Sequence, residues 1–131
     1  PTDIRDVLVS EVDQGGVEAA VAEYETLREQ YYGSWTYDFR EATLPDVAER
    51  LAVQQPDAAL ALLDHNLTHY PASAMTYVYK ARILAGVKRD FDGAIAMVRE
   101  AQRVQPDAPG LDRMLEQFEA AREAAVSPES P

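Results

Sequence analysis

Residues 59–71, ALALLDHNLTHYP, and residues 94–106, AIAMVREAQRVQP, decide how the chain folds. At a shift of 35 residues, Ala59 meets Ala94, Leu63 meets Val98, Asn66 meets Ala101 and Pro71 meets Pro106. Small or apolar residues spaced by four and then three fall on one face of an α-helix, and the shared proline closes both helices at the same point. A period of this length marks a repeated supersecondary unit, so each residue takes its meaning first from its place in the repeat.

Working outward, helical spacing covers most of the chain. Ile4, Val7, Leu8 and Val12, then Val17, Ala20, Val21, Tyr24 and Leu27, predict two amphipathic helices parted by Gly15-Gly16. Ala20, Tyr24 and Leu27 form a third copy of the repeat face, with Tyr32 where proline is expected. Asp38 or Thr43 is read as the cap of a helix running to about Val53, with Pro45 in its first turn, where proline is tolerated. Ser73 caps the next helix, to about Gly86, and a helix over Gly93 to Val104 ends before Pro106. Leu111 to about Ala125 carries Leu111, Met114, Leu115, Phe118 and Ala121 on one side and charges on the other, as a closing helix requires.

The repeat positions resemble the second helix of the tetratricopeptide repeat, an A-x3-F pattern followed by a small residue and a closing proline. Ala48 and Ala81 suit the close-packed position of that family's first helix, whereas Leu8, Lys80 and the loop after Gly86 depart from it. The resemblance implies an all-α, right-handed stack of about three antiparallel helical hairpins, at about 2–32, 40–70 and 74–105, with a capping helix at about 111–125. Residues 1–126 are then one domain and 127–131 a flexible tail. A narrower resemblance rests on Gly16 to Tyr24, Tyr31-Tyr-Gly33, Tyr37-Asp-Phe39 and Tyr70-Pro71-x-Ser73. These strings resemble the repeat segment behind the catalytic domain in some bacterial serine hydrolases of the β-lactamase type and in related esterases. That implies an accessory domain of a hydrolase, in the bacterial cytoplasm or exported with its parent. The start at Pro1, without an initiator Met, accords with a processed form or a piece of a longer protein.

A formal charge of -11 repels DNA, RNA and anionic lipid, so no nucleic-acid or membrane partner is expected. Without cysteine there is no disulfide, thiolate metal site or thiol nucleophile. Neither G-x-S-x-G nor S-x-x-K surrounds any serine, and Gly15-Gly16 is too isolated for a phosphate loop, so no catalytic residue, enzyme activity or cofactor is expected. His65 and His69, four apart on one helical face, supply two metal ligands without the Glu of an H-E-x-x-H motif. A third ligand, Asp64, would have to come round the helix, so no metal site is expected. Asn66-Leu-Thr68 matches the glycosylation pattern but lies inside a helix, facing its hairpin partner.

The remaining expectation is a protein-binding surface. In the tetratricopeptide family the first helices line a concave groove, and Arg5, Val9, Glu49, Tyr79 and Arg82 map there. Arg5 and Arg82 offer anion contacts and Tyr79 an aromatic anchor. The carboxylate clamp known from one version of the groove is missing, since Val9, Asp46, Met75 and Tyr79 occupy its positions. Trp35, with Tyr37 and Phe39, either plugs the joint between the first two hairpins or anchors a partner. The expected partner is a protein: the parent catalytic domain, a second copy of the chain, or, for a free-standing adaptor, an extended peptide.

Overall fold

A computed structural model describes residues 3–34 and 36–126. Among them the secondary structure is entirely helical: α1 Ile4–Tyr31, α2 Thr43–Leu51, α3 Pro56–His69, α4 Ala74–Gly86, α5 Phe91–Val104 and α6 Leu111–Val126. The fold class is all-α. The tail expected at 127–131 lies outside the described residues.

Gly16 breaks α1 into two arms. Its φ of 84° and ψ of 174° form a conformation that side chains resist and glycine accepts. A Cβ on the preceding Gly15 would come within 2.8 Å of the Ala19 Cβ, so the glycine pair is needed both for its backbone freedom and for a close approach. The two helices expected on either side of this pair are these arms.

Compact packing divides the chain into two units, Pro1–Pro71 and Ala72–Pro131. In the first, α2 packs on α3, and α1 packs on both. Its core takes Ile4, Leu8 and Val12 from the first arm of α1, Ala20 and Tyr24 from the second, Leu44, Val47, Ala48 and Leu51 from α2, and Ala59, Leu62 and Leu63 from α3. Alanine at 48 and 59 adds almost no bulk, which lets helices approach closely while still removing apolar area from water at about 25 cal/mol per Å². Pro45 is buried in the first turn of α2, whose N-cap is Ala42 rather than Asp38 or Thr43, with no side-chain capping bond. The Thr43 hydroxyl is occupied elsewhere, donating to the Asp38 carbonyl at 2.9 Å.

In the second unit α4 packs on α5, and α5 on α6. Ala74, Ala81, Ala85, Phe91, Ala94, Val98, Ala101 and Leu111 form one apolar cluster, against which Met114, Leu115, Phe118 and Ala121 of α6 lie half-buried. Both α4 and α5 are capped by side chains: Ser73 accepts from the Thr76 N–H, and Asp90 from the Gly93 N–H. The two repeat helices end alike. Tyr70 (φ -129°, ψ 70°) after α3 and Gln105 (φ -144°, ψ 79°) after α5 leave the helix in the same way, each before a proline.

Candidate functional site

A concavity lies in the first unit, where the chain passes from α1 to α2. Tyr32 ends α1, and Gly33, at φ 85°, turns the chain into an irregular segment reaching α2 at Thr43. Phe39 folds inward to 4% exposure and meets the buried Tyr24 edge-on, their ring centres 5.7 Å apart. Arg28 ties this segment to the helix: one guanidinium nitrogen donates to the Tyr24 hydroxyl at 3.2 Å and to the Phe39 carbonyl at 3.1 Å. The Tyr70 hydroxyl donates to the same carbonyl at 2.7 Å, and the Arg28 guanidinium also lies 4.5 Å from the Tyr32 ring centre. The result is a groove of about 730 Å³ walled by Tyr32, Tyr37, Phe39 and Tyr70.

Arg5, Asp38 and Arg40 line the charged side of this groove. Asp38 accepts from the Arg40 side chain at 2.9 and 3.0 Å, from the Arg40 N–H at 2.9 Å and from Arg5 at 3.2 Å. Those bonds, Arg40 foremost, outweigh the cost of partial burial and hold the Asp38 carboxyl far below the usual range. Arg5 also donates to Asp46 at 3.0 Å and pairs with Asp3 at 3.4 Å. Its guanidinium is therefore neutralised from three sides and positions the groove more than it offers charge to a ligand.

The other residues expected at a binding surface are spread along the chain. Val9 is half-buried on α1 and Glu49 exposed on α2. Tyr79 and Arg82 belong to the second unit, where the exposed Arg82 guanidinium lies 5.8 Å from the Tyr79 ring centre. Trp35 lies outside the described residues. Tyr32 and Tyr70 belong to the strings quoted from the sequence but were not expected at a binding surface. For Tyr32 a signal was the interrupted repeat, since it stands where a closing proline was expected.

His65 and His69 do share one face of α3, and the third group facing them is Glu25 of α1, not the neighbouring Asp64. Glu25 Oε1 lies 2.6 Å from His69 Nε2 and 3.3 Å from His65 Nε2, and Oε2 lies 3.0 Å from His69 Nε2. Partial burial disfavours the Glu25 carboxylate, but its bond to His69 and the two nearby imidazoles prevail and lower its pKa. Tyr24 packs against both rings, at 5.9 and 6.0 Å between centres. Asn66 is fully buried and donates to the Glu41 carbonyl at 2.9 Å, so its amide nitrogen is committed to the fold rather than presented as a glycan acceptor.

Ser10, Ser34 and Ser73 serve local structure: Ser10 accepts from Gln14, Ser34 from the Thr36 N–H, and Ser73 caps α4. No helix among the described residues is long and apolar enough to cross a membrane. No family model matches the chain, and no curated protein matches it.

Proposed function

We propose that this chain is a non-catalytic interaction domain, a short tetratricopeptide-like stack of hairpins whose first unit takes a segment of another protein into its aromatic groove. The groove between Tyr32, Tyr37, Phe39 and Tyr70 carries this reading. Rings with a polar tip offer apolar area and hydrogen bonds together, at little cost in side-chain entropy, and this is the chemistry of protein-binding anchors. The strings resembling hydrolase accessory segments, Tyr31-Tyr-Gly33, Tyr37-Asp-Phe39 and Tyr70-Pro71, include much of the groove wall. This favours a segment of a parent catalytic domain as the occupant. The formal charge of -11 favours a basic segment. A non-catalytic role is supported by Ser10, Ser34 and Ser73, whose hydroxyls accept from the Gln14 side chain, the Thr36 N–H and the Thr76 N–H.

Panning random displayed peptides on the intact chain and on a Tyr32→Ala/Tyr37→Ala variant tests the proposal. The expected result is a family of basic, aromatic-containing peptides that bind the intact chain with dissociation constants of about 1–100 µM and lose roughly 10-fold or more on the variant. Failure of any sequence family to emerge, or equal binding to a variant whose helical circular dichroism is unchanged, overturns it.

A further inference from the structure

We propose that Glu25, His65 and His69 form a binding site for a divalent transition-metal ion of the Zn²⁺ class, which clamps the second arm of α1 to α3. One ligand atom from each of the three residues lies within 4.8 Å of the others. Around a tetrahedral Zn²⁺ with bonds of about 2.0–2.1 Å, ligand atoms stand roughly 3.3 Å apart. The His65–Glu25 separation already has that value, at 3.3 Å, and the 2.6 Å His69–Glu25 hydrogen bond would open by under an ångström. Two imidazoles and one carboxylate suit zinc and its neighbours, whereas magnesium and calcium prefer an all-oxygen shell.

A simple ion pair explains this cluster less well. Glu25 satisfies His69, but His65 Nε2 faces the same carboxylate, is itself buried, and makes no hydrogen bond among the described residues. A shared ion would satisfy all three groups at once. Tyr24, fully buried, holds both rings from the side, so the ligands are oriented before an ion arrives. The Glu25 side chain is 38% exposed and leaves a path from solvent. The repeat supplies an internal control, because the positions 35 residues on from His65 and His69 are Glu100 and Val104, which cannot build such a site. After His65 comes Asn66, bound to the Glu41 carbonyl, so the position that carries the base in an H-E-x-x-H site holds an amide committed to the fold. The role this arrangement favours is a clamp.

The test is calorimetric titration of the chelator-treated chain with Zn²⁺ near neutral pH, together with the visible spectrum of the Co²⁺-loaded chain. The expected result is one ion per chain, a dissociation constant of order 1 µM or tighter, and the intense visible bands of four-coordinate Co²⁺. Glu25→Gln, which keeps shape and hydrogen bonding, and His65→Ala should each weaken Zn²⁺ by roughly 10-fold or more, while Asp64→Asn leaves it unchanged. Absence of saturable binding, or binding that survives Glu25→Gln and His65→Ala unaltered, overturns the proposal. Binding lost in Asp64→Asn but kept in Glu25→Gln overturns it as well. Circular dichroism of each variant keeps loss of fold apart from loss of ligand.

Discussion

The two repeat helices α3 and α5 share a face and an ending, yet one is a polar junction and the other a plain apolar seam. Where α5 buries Ala101 in an apolar cluster, α3 buries Asn66 and spends its amide on the Glu41 carbonyl. Where α5 has Glu100 and Val104, α3 has His65 and His69 against Glu25. The same geometry therefore carries two kinds of contact, and the polar one lies in the unit that also holds the groove. Polar groups buried with partners specify a single arrangement more sharply than apolar ones, because each misplaced partner is costly.

The comparison can be broken most severely at Tyr24, which touches both histidines and Phe39 and whose repeat counterpart in the second unit's cluster is Val98. Tyr24→Ala should cost about 3–5 kcal/mol in urea denaturation. Exchanging the repeat residues tests the contrast itself. Ala101→Asn should cost about 2–4 kcal/mol, since the added bulk and an unpaired amide both enter an apolar cluster. Asn66→Ala should cost about 1–3 kcal/mol, because it removes the bond to the Glu41 carbonyl at a fully buried position. If Ala101→Asn is neutral, the second seam is more polar or more open than its packing indicates. A smaller difference lies at the helix starts, where α4 and α5 have side-chain caps and α2 and α3 do not. Ser73→Ala and Asp90→Ala should each cost about 1 kcal/mol by the same measurement.

The smallest effect belongs to acid. The Asp38 carboxyl is held below its ordinary range, so near pH 4 the unfolded chain takes up a proton that the folded chain refuses. Its stabilising contribution is complete above that pH and is lost as pH falls through and below it. Much of the Arg40 side chain is in solvent, and screening keeps the effect small. Melting temperatures at pH 7 and pH 3.5 should therefore differ slightly less in Asp38→Asn than in the unaltered chain. An identical difference would remove Asp38 from the account.

Much of the helical layout was legible in the sequence because it depends on short-range spacing. The Gly15-Gly16 break, the Pro45 first turn, the Ser73 cap and the repeat faces all follow from residues within a turn or two of one another. The cap of α2 was misread, since the Thr43 hydroxyl donates to the Asp38 carbonyl and the Asp38 carboxylate accepts from Arg40 and Arg5 instead of the helix end. Glu25 was missed for a different reason. It lies 40 residues before His65 on another helix, and no local period pairs the two. Arg5 likewise reads as a free cation until Asp38 and Asp46 are brought to it from later in the chain. The polar Asn66 at a repeat position otherwise kept apolar, with His65 and His69 beside it, was the visible sign that this junction differs.

The packing of α1 on α3 has a consequence for the order of folding. In the second unit the substantial helix contacts join neighbours in the chain, so each helix has its partner as soon as the next is made. The first unit cannot close until residues as far along as His69 exist to meet Glu25, and closing so long a loop costs chain entropy before any contact offsets it. During synthesis, then, the second arm of α1 emerges before α3, and the side of Tyr24 that meets His65 and His69 stays open to water and to chaperones until α3 follows.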